Sequence, residues 1–342
     1  MHVASEPAQT PLAQATRPAS TYAGPSFQQV EELGAEQLSS SGRVATRTTP
    51  LLVRGALRAW PAFQHWSFER LAELRRADGS DVVTSFQNGL IEQGATRAPL
   101  QLRVAPYLRE LEQAALSVEA PRLEELGLLP NRVRRSLAQG ERFWLDWSYL
   151  KTFAATRSYL AQWQLLAEFP ELRRDMPIRT LWPGRRYTWE FAFLGPANTV
   201  TGLHHDFPAN WFCQIRGVKE YLLFPPDQTP YLSQSRKYDR GATLSEVDIT
   251  QLDEQPERAA RFAQAEGLYA RVEAGDALYI PSTTWHAVVA LAPSISIALF
   301  GLTAAQVLTR GAPSELLHLL HRMRLYRWGN CTCHGALGAS AY

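Results

Sequence analysis

His204-x-Asp206 and, eighty residues further on, His286 are the residues of this chain whose types and spacing suit chemistry. Two imidazoles and one carboxylate can occupy one face of an octahedral Fe(II) and leave three positions for reactants, which makes His204, Asp206 and His286 candidate metal ligands. The first two lie in TGLHHDFPANWFCQIRGVKEYLLFPP and the third in AGDALYIPSTTWHAVV. Residues i and i+2 of a strand face the same way, so His204 and Asp206 point together while His205 points elsewhere. The competing reading is a pair of core histidines satisfied by hydrogen bonds.

Lys219 is the second informative residue. It lies in Val218-Lys219-Glu220-Tyr221-Leu222-Leu223-Phe224, where a lysine in a largely apolar strand is costly unless an anion pairs with it. Lys151, Lys219 and Lys237 are the only lysines of a chain that uses arginine elsewhere, so this position points to a need for a compact ammonium. A dicarboxylate ligand would supply the partner. The alternative is an edge lysine that snorkels to solvent.

These residues need strands to hold them. From Tyr187 the pattern is strand-like, with Trp189 to Gly195 as one strand and Trp211 to Phe224 as a pair broken at Gly217. A polar, charged, lid-like insertion follows over residues 227–267, and Arg236, Lys237, Asp239 and Arg240 within it point either to a polar or charged substrate or to a solvated loop. Strand patterns resume at Leu268. The uncharged stretch Ala287 to Thr309 alternates with period two around Ser294, Ser296 and Ala298, which fits a buried strand leading into a helix rather than a membrane span.

The expected organisation has four parts. Residues 1–24 form a flexible segment rich in Ala, Ser, Thr, Pro and Gln. Residues 25–186 form a mixed helix and strand region that supports the barrel. It has a strand over Pro50 to Ala56, helical runs at Ser67 to Arg76, 106–120, 121–138 and Thr156 to Phe169, and a strand-like Arg142 to Trp147. Residues 187–302 form the core, and residues 303–342 a C-terminal helical region with a flexible tail. The predicted class is mainly β with helical decoration, built on a double-stranded β-helix of jelly-roll or cupin type.

With 342 residues and a formal charge of +2, the chain can bury a large core and gives no reason to expect nucleic acid. Three cysteines make no disulfide framework, so a reducing compartment and a cytoplasmic location are expected. No secretory leader or membrane partner is expected either. Cys213 reads as core, and Cys331-Thr332-Cys333-His334 as a tail that does not complete a tetrahedral metal shell.

Thr201-x-x-His204-x-Asp206, Asn210, Gln214-x-x-Gly217-x-Lys219, Leu223-Phe224-Pro225-Pro226, Gly275-Asp276 and Ile280-Pro281-x-x-x-Trp285-His286 together carry a resemblance. The chain resembles the jumonji-C-type, cupin-like dioxygenases dependent on Fe(II) and 2-oxoglutarate, most of all their asparaginyl-hydroxylase branch. The resemblance implies that His204, Asp206 and His286 ligate iron. It implies that Lys219 and Thr201 hold the distal carboxylate of 2-oxoglutarate and that Asn210 contacts the cosubstrate. Trp285 would be a packing wall.

The implied reaction consumes dioxygen and hydroxylates a C–H bond of a protein side chain, peptide or amino-acid-like small molecule, releasing succinate and carbon dioxide. The C-terminal helix with His318 and His321 resembles a dimerisation element, so a homodimer is an expectation. Two positions depart from the family. Trp144 stands where relatives carry a tyrosine, leaving Tyr149 or Tyr187 to replace it. Leu299-Phe300-Gly301 stands where they carry an asparagine. The rival reading is a catalytically silent metal-binding cupin that serves as a binding or regulatory module. A metal-dependent isomerase or hydrolase would have no use for Lys219.

Overall fold

The computed structural model describes residues 24–41, 47–88, 90–91, 100–117, 140–142, 147, 150–151, 158–182 and 187–333. The first strands are β1 (Ser26–Gln29), β2 (Glu31–Gly34), β3 (Leu51–Arg54), β4 (Val83–Asn88), β5 (Leu90–Ile91), β6 (Leu100–Arg103) and β7 (Ser158–Trp163). The barrel proper begins with β8 (Tyr187–Gly195), β9 (Val200–Asp206), β10 (Ala209–Arg216) and β11 (Lys219–Phe224). It continues with β12 (Ala242–Leu244), β13 (Glu266–Val272), β14 (Ala277–Ile280), β15 (Trp285–Ala290) and β16 (Ser294–Leu302).

Two sheets face each other. The larger runs β2-β3-β14-β10-β16-β8-β7-β4-β6 and the smaller β1-β13-β11-β15-β9-β12, with β5 also paired to β9. The eight strands β8 to β11 and β13 to β16 divide four and four between them, which is the jelly-roll arrangement. Among the described residues no helix is long and apolar enough to cross a membrane.

The core strands are apolar almost throughout because both faces of each sheet are covered. Between the sheets lie Phe212, Tyr221, Leu223, Val288, Ala298 and Phe300. Outside the larger sheet, Trp211, Ile297 and Leu299 pack on Trp66, Leu71 and Leu108 from the N-terminal helices. Outside the smaller sheet, Leu222, Trp285 and Val289 pack on Val247, Ile249, Leu252 and Phe262. The insertion over residues 227–267 is therefore more than the polar excursion its sequence suggests. It buries an apolar face on the barrel and adds β12 to the edge at β9.

Asp276 ties the N-terminal region to this barrel. Its carboxylate accepts hydrogen bonds from the Arg54 guanidinium at 2.7 Å and the Gly55 backbone N–H at 2.9 Å.

Two helical expectations are corrected. Over Thr156 to Phe169 the described residues form strand β7 and then a one-turn helix, Leu165–Glu168. The run at Ser67 to Arg76 is helical only over Phe68–Ala72, capped by the Ser67 hydroxyl; residues 77 to 79 then turn, with Gly79 at φ +79°. The helix over Val104–Ser117 and the C-terminal helix Ala312–Arg322 form where apolar spacing places them. The run 121–138, Trp144, Tyr149 and His334 lie outside the described residues.

The turn between β10 and β11 explains Gln214-x-x-Gly217. Gln214 receives the Ser296 hydroxyl at 2.8 Å and gives its amide to the Arg216 carbonyl at 2.7 Å. Gly217 has φ +77°, and a Cβ there would sit 2.3 Å from the Pro293 carbonyl oxygen. Left-handed strain and the backbone clash together predict that Gly217→Ala loses about 2–4 kcal/mol in denaturant unfolding. A loss below about 1 kcal/mol would show that the turn relaxes freely.

Candidate metal and dicarboxylate site

His204 and His286 stand directly opposite each other on the antiparallel pair β9 and β15, with ring centroids 4.2 Å apart. Asp206 Oδ2 lies 4.0 Å from His204 Nε2 and 3.7 Å from His286 Nε2. All three candidate ligand atoms fall within 4.8 Å of one another. Each imidazole has its Nδ1 fixed on a backbone carbonyl, His204 on Gly202 at 2.8 Å and His286 on Thr284 at 3.1 Å. With the Nδ1 proton given to a carbonyl, both Nε2 lone pairs turn toward the carboxylate, the tautomer a metal needs.

His205 faces the other way. Its ring meets Trp285 edge-on, with centroids 4.5 Å apart. Trp285 belongs to the cluster outside the smaller sheet and gives its indole N–H to the Thr229 hydroxyl at 2.9 Å. It is packing for the sheet and does not wall the site.

Burial shapes the ionisation of these groups. It lifts the Asp206 carboxyl to about 6, against the opposing pull of His204. It holds His286 well below the usual imidazole range, with His204 adding to the effect. A buried cation favours the ionised carboxylate and the neutral imidazole, so it would satisfy all three groups at once.

A bulge in β9 enlarges the site. His286 and Val288 are two apart on β15, yet their partners His204 and Thr201 are three apart on β9. Gly202 and Leu203 thus span the place opposite the single residue Ala287. The extra residue brings Thr201 to the inner face with His204, where strict alternation would have turned it out. The carbonyl that orients His204 belongs to this bulge.

Below Thr201 lies Lys219, 2% exposed. Its Nζ sits 5.9 Å from the ring centroids of both Tyr159 and Phe193. Burial moves the ammonium from its ordinary 10.5 down to about 7, and no carboxylate among the described residues offsets this. Tyr159 shares a hydrogen bond with Thr201. A lysine amine and two hydroxyls therefore meet on one wall of the cavity.

Tyr159 is the residue that sequence reasoning missed. It was hidden in a stretch whose Leu160, Trp163 and Leu166 have helical spacing. Of the tyrosines named as substitutes for Trp144, Tyr187 is 60% exposed at the start of β8 and is not the one beside Lys219.

Asn210 lies on β10 between Ile280 of β14 and Phe300 of β16. It is buried, and among the described residues neither its amide oxygen nor its amide nitrogen has a hydrogen-bond partner. Such a group awaits a ligand or water. Where relatives carry an asparagine, Phe300 faces inward and stacks on Trp189 at 5.5 Å. This side of the cavity is aromatic rather than polar. The insertion's Arg240 pairs with Glu315 of the C-terminal helix at 3.2 Å.

The model of the cupin-like domain matches residues 38–300. The chain belongs to the cupin-like family. Its relatives include Jumonji C domain-containing protein 5 of Drosophila melanogaster, 34% identical over 149 residues that cover 42% of this chain and 36% of that protein. Lysine-specific demethylase JMJ30 of Arabidopsis thaliana is 33% identical over 149 residues, 42% of this chain and 33% of that protein. Bifunctional peptidase and (3S)-lysyl hydroxylase JMJD7 of Homo sapiens is 26% identical over 260 residues, 69% of this chain and 72% of that protein. The chain thus spans about a third of the length of the first two relatives. The jumonji-C likeness read from the sequence agrees with this family and with the names of these relatives.

Within this cupin-like site, His204→Ala and Asp206→Ala are expected to reduce Mn(II) affinity at least tenfold by isothermal calorimetry. His205→Ala should leave it within about twofold, since its ring lies on the outer face. Equal losses in all three variants would contradict the assigned ligand set.

Proposed function

We propose that this protein is an Fe(II)- and 2-oxoglutarate-dependent oxygenase that hydroxylates a C–H bond of a protein side chain, a peptide or an amino-acid-like small molecule. The carrying observation is the buried Lys219 ammonium, which has no carboxylate partner among the described residues and lies on the inner wall that also bears the His-Asp-His triad. Two histidines and one carboxylate are the donor set of non-haem iron oxygenases. A cavity offering such a triad at one point and an ammonium with two hydroxyls at another fits a short keto dicarboxylate between them.

In this reading His204, Asp206 and His286 hold the metal, which with its cosubstrate and dioxygen supplies the oxidising power. Lys219, Thr201 and Tyr159 bind the far carboxylate by charge-assisted and hydroxyl hydrogen bonds. Asn210 donates or accepts beside the metal-binding end. Phe212, Leu223 and Val288 keep the cavity dry, and Trp189, Phe191 and Phe300 set an aromatic surface on the larger sheet. No side chain needs to act as a general base. A silent binding cupin would gain nothing from keeping an unpaired buried ammonium.

The test of activity is aerobic incubation with Fe(II), 2-oxoglutarate and ascorbate, the reductant that takes the second oxygen atom when no prime substrate is present, with succinate measured by mass spectrometry. Succinate should form and should fall by at least tenfold in Lys219→Met. Succinate at background in the wild-type chain would refute the oxygenase reading. Adding peptide or amino-acid pools and searching for products that gain one oxygen atom then identifies the substrate.

Two outcomes follow from the buried lysine. A displacement from 10.5 to about 7 is worth on the order of 5 kcal/mol against folding with the lysine inside. Lys219→Met should therefore raise the urea midpoint of the ligand-free chain while weakening 2-oxoglutarate binding. A lower midpoint would place a counter-charge on the lysine.

The second outcome is a pH dependence. Below about 7 the free protein already carries the ammonium. Above it, binding a dianion must take up a proton, so apparent affinity should fall with rising pH, by up to about tenfold per unit. Calorimetry of 2-oxoglutarate into the Mn(II)-loaded chain between pH 6.5 and 8.5 checks this, about two units around that value. A flat profile would contradict the role of Lys219.

A further inference from the structure

The C-terminal helix Ala312–Arg322 is held in an unusual way. Its leucines face outward, with Leu316 57% and Leu319 53% exposed. The buried residue of this helix is a histidine, His321. Hydrophobic burial therefore does little to dock the helix, and polar contacts share the task, among them the Arg240–Glu315 pair and those around His321.

Those contacts converge from three segments. His321 Nδ1 is 2.7 Å from the Tyr326 carbonyl, which leaves Nε2 facing Cys333 Sγ at 3.2 Å. Cys331 and Cys333 lie on a short extended tail beside Tyr238, joined by Tyr238 N–H to the Asn330 carbonyl at 2.9 Å and Thr332 N–H to the Tyr238 carbonyl at 3.0 Å. Between the two cysteines, the Thr332 hydroxyl reaches Asp239. The ligand atoms of His321, Cys331 and Cys333 all lie within 4.8 Å of one another. The rings of Tyr238 and Trp328 flank the imidazole at 4.4 and 5.6 Å.

We propose that His321 Nε2 and the sulfurs of Cys331 and Cys333 form a second metal site, which binds zinc as a structural staple. Two sulfurs and one imidazole supply three soft donors to a tetrahedral zinc ion, with a water completing the shell, and are ill suited to the hard ions that oxygen ligands prefer. The imidazole is oriented as in the barrel site, by a backbone carbonyl on Nδ1. Zinc binds the thiolates, so coordination releases the two thiol protons to solvent and involves no redox change.

The staple joins the C-terminal helix to the tail, and the tail pairs through its backbone with Tyr238 on the loop that leads into β12. That strand pairs with His204, His205 and Asp206 of β9, so the cation would stiffen the flank of the barrel site without entering it. The sequence showed the two cysteines but not the partner, because His321 lies ten residues earlier and only the turn after the helix brings it back.

The test uses the full chain carrying His204→Ala and Asp206→Ala, which silences the barrel site. Purified with zinc present and dialysed, this chain should retain one equivalent of zinc by elemental analysis. With Co(II) in its place it should show sulfur-to-cobalt charge-transfer absorption, and X-ray absorption should show two sulfur neighbours per cobalt. Adding Cys331→Ser and Cys333→Ser should abolish both the zinc and the band. In the wild-type barrel background the same two serines should leave Mn(II) binding at the triad intact. The proposal is overturned if the parent chain shows no sulfur neighbours to cobalt, or if zinc content survives both serine changes.

Discussion

Register between two strands is the constraint on which the rest of the molecule depends. His204 and His286 can share a cation only while β9 and β15 keep them opposite each other. A slip of one residue would turn His204 outward, toward the apolar cluster that contains Trp285, and bring His205 in. Much of the surrounding structure resists that slip. Leu222, Trp285 and Val289 are locked against the insertion's apolar face, and β12 holds the other edge of β9 in register with His204 to Asp206. The insertion is a brace for the candidate metal ligands before it is anything else.

The β9 bulge reconciles two demands that a regular strand cannot meet. The triad needs residues 204 and 206 on the inner face, and the cavity floor needs the hydroxyl of Thr201 there too. One extra residue supplies both, and its carbonyl also fixes the His204 tautomer. The same cavity stores unfavourable energy in the buried Lys219 ammonium and in the Asn210 amide, which has no hydrogen-bond partner among the described residues. Such groups lower stability until a ligand satisfies them, the usual relation between a prepared site and its fold.

The parts of the site legible in the sequence were those whose residue types are improbable in their setting. A histidine and an aspartate two apart at a strand, and a lysine in an apolar strand of an arginine-rich chain, stand out without any structure. The larger organisation also showed, because apolar strand runs bounded by Gly and Pro stand out even where both sheet faces are covered. Tyr159 did not show. Its strand, SYLAQW, has an irregular pairing with β8 and a left-handed residue at Gln162, so neither alternation nor propensity marks it. The bulge was equally invisible, since Thr201-x-x-His204 has no periodicity that reveals which residue is extra. The apolar residues Val247, Ile249, Leu252 and Phe262 were diluted among charges, and so the insertion read as solvated. The cluster of His321 with Cys331 and Cys333 depends on chain reversal, which local pattern cannot supply.

The most direct test of the central claim, that the barrel holds a divalent iron and a dicarboxylate together, is an anaerobic titration. Fe(II)-loaded protein is titrated with 2-oxoglutarate while its visible absorption is followed. A weak metal-to-ligand charge-transfer band that saturates with added 2-oxoglutarate, and is absent in His204→Ala, is the predicted result. Iron bound at the triad with no band at any concentration of 2-oxoglutarate would contradict the account.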